Sequence, residues 1–84
     1  MGVIFITFRS VTPAQRGEAV LRKAGLRCAL QRTPKWMEEQ GCGYCLRLRQ
    51  EEAPEAVNLL REAQVGFRKV YLQREKGNTE ELVL

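Results

Sequence analysis

Tyr44-Cys45-Leu46-Arg47-Leu48-Arg49 alternates apolar and basic side chains, and it follows directly on Gly41-Cys42-Gly43. A period of two marks a strand with unlike faces. Tyr44, Leu46 and Leu48 point one way, and Cys45, Arg47 and Arg49 the other. A face that carries two arginines is not a core face, so the sheet containing this strand has one face covered and one open. The stretch also holds two of the chain's three cysteines, three positions apart, at the mouth of the strand.

Upstream, Val3-Ile4-Phe5-Ile6-Thr7-Phe8 is β-branched and aromatic, too short for a helix, and reads as a central strand. Thr12-Pro13-Ala14-Gln15 has the pattern of a helix start, with Thr12 as the cap and Pro13 at the first helical position. Ala14, Gly17, Leu21 and Ala24 make the buried stripe, Val20 lies beside it, and Gly25 is the stop. Residues 26–31 give a second strand with Leu26, Cys28 and Leu30 on one side. Pro34 breaks that pattern, and residues 36–40 have room for one helical turn. Downstream, Glu51-Glu52-Ala53-Pro54 opens a second helix with its acids at the positive end of the dipole. Its stripe is Ala53, Ala56, Val57, Leu60 and Ala63, it ends at Val65-Gly66, and residues 67–72 form a fourth strand.

The order predicts an α+β fold, the ferredoxin-like βαββαβ two-layer sandwich. Its four-stranded antiparallel sheet would carry two helices on one face. Residues 1–72 form this single domain. Residues 73–84 are a charged tail, either an extra edge strand turned at Gly77-Asn78 or a disordered end.

Composition narrows the function. The 84 residues suffice for one small core, and no apolar run approaches the roughly 18–20 residues that span a bilayer. The N-terminus enters a strand pattern without a basic region, so no secretory signal is expected. Three cysteines do not suit a disulfide framework, which points to reduced thiols and a cytoplasmic protein. The net charge of +4, from ten arginines and four lysines, favours anionic partners only mildly. Histidine is absent, which excludes Cys–His nucleophile pairs and Cys2His2 zinc sites. With no paired carboxylates and no phosphate-binding glycine loop, neither catalysis by the chain itself nor a cofactor is expected.

The Cys42–Cys45 pair admits three chemistries. A zinc site lacks ligands, since only Cys28 could join the pair. A thioredoxin-type exchanger places its CxxC at a helix N-terminus, whereas this one leads into a strand. A carrier thiol holding sulfur or selenium needs one accessible cysteine near positive charge. Cys42 meets that need, with Arg47, Lys35, Arg32 and Arg9 as sources of charge, and Cys45 could resolve the adduct as a disulfide. Cys28, alternating with Leu26 and Leu30, reads as a core residue.

Four pieces of sequence resemble one family: Ile6-Thr7-Phe8-Arg9-Ser10, Ala24-Gly25-Leu26, Thr33-Pro34-Lys35, and Gly41-Cys42-Gly43 with Cys45-Leu46-Arg47-Leu48. They are similar in order and spacing to the small selenium/sulfur carrier protein-like domains, associated with proteins of the YedF type. The resemblance implies Cys42 as the carrier thiol, and Gly41, Gly43, Thr33, Pro34, Lys35, Arg47, Arg9 and Ser10 around the cargo. It implies protein donors and acceptors of sulfur or selenium. The chain departs from the pattern at Cys45, where a small residue is expected, at Lys35 in place of Arg, and in the bulky residues 36–40.

Two other functions compete. An open face with Arg27, Arg47 and Arg49 beside Phe67, Lys69 and Tyr71, or else Arg68, could bind RNA or a protein. The Tyr44 strand offers no stacking aromatic on its arginine side, so nucleic acid is not the expected partner. A Cys42/Cys45 dithiol redox switch is the other. A homodimer would be favoured if Ile4, Ile6 or Phe8 lay on the open face.

Overall fold

A computed structural model describes residues 2–33, 43–74 and 79–82. The chain runs β1 (Val3–Phe8), α1 (Val11–Lys23), β2 (Ala29–Arg32), β3 (Tyr44–Arg49), a 3-10 turn (Gln50–Glu52), α2 (Ala53–Glu62), β4 (Val70–Gln73) and β5 (Thr79–Leu82). All neighbouring strands are antiparallel, in the order β2-β3-β1-β4-β5.

The sheet therefore has five strands, where the sequence led us to expect four. β5 pairs along β4, with Val70 opposite Leu82 and Gln73 opposite Thr79. Without it, β4 would present a row of unpaired backbone groups. Leu82 packs partly into the core, which gives the last strand an apolar anchor. The Gly77-Asn78 turn and the expected helical turn at 36–40 lie outside the described residues.

Register decides which side chains meet the helices. Ile4 lies opposite Leu48 and Leu72, Ile6 opposite Leu46 and Val70, and Phe8 opposite Tyr44. These residues share one core with Ala14 and Leu21 of α1 and with Ala53, Ala56, Val57 and Leu60 of α2. Ile4, Ile6 and Phe8 thus face the helices, which removes the reason for a dimer to cover them. Gly17 lets α1 come close: a Cβ there would meet Phe8, Leu46 and Leu60 at 3.1–3.2 Å.

Both helices end in the same way. In α1, the Leu26 N–H bonds Leu21 O at 2.9 Å and the Gly25 N–H bonds Arg22 O at 3.0 Å, with Gly25 at φ 89°. In α2, the Val65 N–H bonds Leu60 O at 2.9 Å and the Gln64 N–H bonds Arg61 O at 3.1 Å, with Gln64 at φ 59°. This is the paired-bond stop that needs a left-handed residue. Gly25 supplies it as expected. In α2 the left-handed residue is Gln64, and not Gly66.

Three boundaries also differ from expectation. α1 begins at Val11 with Ser10, not Thr12, as the cap, so Pro13 sits inside the first turn. β2 starts only at Ala29, although Leu26 and Cys28 are buried on the side foreseen. β4 starts at Val70 because the ladder is interrupted: the Arg68 N–H bonds Thr7 O at 2.7 Å and the Thr7 N–H bonds Lys69 O at 2.8 Å. Two residues thus oppose one, which is a bulge. One extra residue reverses the alternation. Phe67 accordingly packs against the helix-side core, and Tyr71 against the opposite face.

Candidate functional site

The β2–β3 hairpin is closed at its described ends. The Thr33 N–H bonds Gly43 O at 3.0 Å, which pairs the two residues on either side of 34–42. Gly41, Cys42, Pro34 and Lys35 fall in that interval and lie outside the described residues. The surroundings of the hairpin mouth are described, however, and they are positive. Arg32 stands opposite Tyr44, with its guanidinium 5.8 Å from the ring centroid. Tyr44 is in turn opposite Phe8, the last residue of β1, so Arg9 and Ser10 reach the same end of the sheet. α1 starts there too, with no acidic residue in its first turn, and the Ser10 side chain does not cap its N–H groups. The N-terminus of a helix carries about half a positive charge.

The structure therefore brings Arg9, Ser10, Thr33, Gly43 and Arg32 to one end of the sheet. Arg47 is not among them. It lies further along β3, on the face without helices, beside Arg49.

Cys45 lies on that same face, yet it is fully buried. Thr7 and Gln31 flank it in register, and Phe5 packs against it, with Val3 and Tyr71 around them. Burial pushes the Cys45 thiol up, and the Thr33 hydroxyl beside it acts more weakly in the opposite direction. That hydroxyl is itself buried and completes no hydrogen bond of ordinary geometry among the described residues. Cys28 is a core residue, as its alternation with Leu26 and Leu30 indicated. Burial raises its thiol as well, against the contact with Arg22, whose guanidinium also donates to Cys28 O at 3.2 Å. Neither thiol is set up to ionise readily. Strand alternation could not reveal the burial of Cys45, because its same-face neighbours on β3, Arg47 and Arg49, are exposed.

Among the described residues no three Cys, Asp or Glu side chains gather as a metal site, and no helix is long and apolar enough to cross a membrane. The chain matches the family described as "Putative Se/S carrier protein-like" over residues 4–72, and it belongs to that family. Neither the curated proteins nor the solved structures contain a match. That description names the family for the carriage of selenium or sulfur.

Proposed function

We propose that the protein carries a sulfur or selenium atom on Cys42 and passes it to a partner enzyme. The observation that carries this reading is the positive end of the sheet, where Arg9, Arg32 and the N-terminus of α1 surround the two ends of the Cys42 segment. Cations and a helix N-terminus favour thiolate over thiol. The other two cysteines are buried and pushed the opposite way. The frame that holds the segment reads as a ferredoxin-like sandwich extended by β5, in a cytoplasmic protein with reduced thiols.

The transfer is an exchange at sulfur and needs no outside oxidant. The Cys42 thiolate attacks the terminal sulfur of a donor persulfide, the donor's S–S bond breaks, and the donor leaves as a thiolate. A selenium atom bound to the donor's sulfur moves in the same way. Cys45 could end the cycle only by attacking the inner sulfur of the Cys42 persulfide, with release of hydrosulfide. Its burial disfavours that step.

Intact-mass analysis after incubation with a persulfide donor tests the proposal. Wild type should gain one sulfur atom, removable by a reducing thiol. Cys42→Ser should gain none, and Cys45→Ala should behave as wild type. Equal loading of Cys42→Ser would refute the reading.

A further inference from the structure

The end of β3 away from Gly43 holds a second concentration of charge that the carrier chemistry does not use. Arg47 and Arg49 alternate on the face without helices, and Ala29 stands opposite Arg47. Arg27, two residues before Ala29 and outside the paired strand, lines the same cavity as Arg47 and Arg49. Alternate residues of a strand lie about 7 Å apart, so the stems of Arg47 and Arg49 rise close together beside Arg27. With Glu51 they line a cavity of about 560 Å³, whose walls include Val3 and Leu48. All three arginines are exposed, and among the described residues none has an ion-pair partner. Three cations and a single carboxylate lining one cavity leave a surplus of positive charge, and the cations repel one another unless an anion lies between them.

We propose that this cavity binds an organic phosphate. Three guanidinium forks offer more N–H donors than a single carboxylate accepts, and they match the three terminal oxygens of a phosphate ester. The volume is too large for a bare oxyanion and falls among small-ligand sites, which combine apolar walls with a few fixed polar groups. Val3 and Leu48 give the carbon part of the ester a surface. Glu51 limits how much negative charge the site accepts. The site lies at the end of β3 away from Gly43, and it stands or falls independently of the sulfur chemistry proposed for Cys42.

Titration calorimetry of the full chain at low salt, with phenyl phosphate, AMP, inorganic phosphate and adenosine, tests the proposal. At least one of the two esters should bind, inorganic phosphate about tenfold more weakly or worse, and adenosine not at all. Arg27→Ala and Arg49→Ala should each weaken the ester about tenfold, and Glu51→Gln should tighten it. Arg49→Lys, which keeps the charge and removes the fork, should also weaken it. These residues are exposed, so far-ultraviolet circular dichroism should not change. No ester binding, esters no tighter than inorganic phosphate, or affinity indifferent to the arginine substitutions overturns the proposal. Binding of a single-stranded oligonucleotide without binding of AMP overturns it in favour of a nucleic-acid face.

Discussion

Thr7 stands opposite Cys45 in the β1–β3 ladder, and both are buried on the face without helices, yet the Thr7 hydroxyl is held by the strand on its other side. It accepts the Lys69 N–H at 3.0 Å and donates to Lys69 O at 3.3 Å. The bulge at Arg68 and Lys69 leaves that N–H without the usual carbonyl partner, and threonine completes it. Thr7→Val keeps the shape and removes the hydroxyl. It should cost about 1 kcal/mol, the typical net value of one such bond, while Thr7→Ser should recover most of the loss. Urea denaturation of the three proteins measures this, and an unchanged midpoint for Thr7→Val would show that water replaces the hydroxyl.

Burial raises both Cys28 and Cys45 above the ordinary thiol value of 9.0. In the unfolded chain both thiols ionise near that ordinary value, while in the folded chain they stay protonated to higher pH. The contribution of these two thiols to folding stability is therefore fully present below about pH 9 and is lost as pH rises through the folded values. Removing the thiols should flatten that fall. The comparison is wild type against Cys28→Ala/Cys45→Ala, with stability followed from pH 7.5 to about 10; the difference between the two proteins should shrink with rising pH. A difference that stays constant would mean that burial does not hold these thiols protonated.

The same burial sets alkylation rates. Iodoacetamide near pH 8 reacts with thiolate, so Cys42 should be modified well before Cys28 and Cys45, and denaturant should equalise the three. Peptide mapping after timed quenching reads this directly. Cys45 reacting as fast as Cys42 in the folded protein would revive the dithiol switch.

Much of the frame was legible because its signals are local. The strands at Val3–Phe8 and Tyr44–Arg49 have the bounds expected of them, since β-branched residues and strict alternation mark both ends. Both helix stripes were legible as well, except that Ala24 is exposed. What escaped depends on partners distant in sequence. β4 is shortened by a bulge that exists only against Thr7. β5 is a strand because β4 offers an edge, whereas the tail's own sequence left an extra edge strand and a disordered end both open. Cys45 is covered by Thr7, Gln31 and Phe5 from two other strands, so no inspection of residues 44–49 alone could place it in a core.

Gly17 is where α1 touches the sheet and α2 at once. Gly17→Val would force Phe8, Leu46 and Leu60 to move together, and these are among the best-buried side chains of the core. Overpacking of this kind costs about 1–3 kcal/mol, and a β-branched residue in the helix adds to it. The Tm should fall, whereas Gly17→Ala should fall far less, because its gain in helix propensity offsets a contact at 3.1 Å that neighbours can relieve by small shifts. Equal losses for the two variants would indicate that α1 does not seat as closely as described.

The two helix stops make a paired test, because one geometry is filled by two different residues. Gly25 at φ 89° has nothing within 4 Å of the place a Cβ would occupy, so Gly25→Ala is penalised by backbone conformation alone. That penalty is about 1 kcal/mol for a left-handed residue bearing a Cβ. Gln64 bears the same strain at φ 59° and is exposed. Gln64→Gly should therefore stabilise the protein by up to about 1 kcal/mol, less the extra freedom that glycine gives the unfolded chain. Thermal and urea denaturation should place Gly25→Ala below wild type and Gln64→Gly above it. A Gln64→Gly protein less stable than wild type would mean that the glutamine side chain contributes a contact worth more than the strain it imposes.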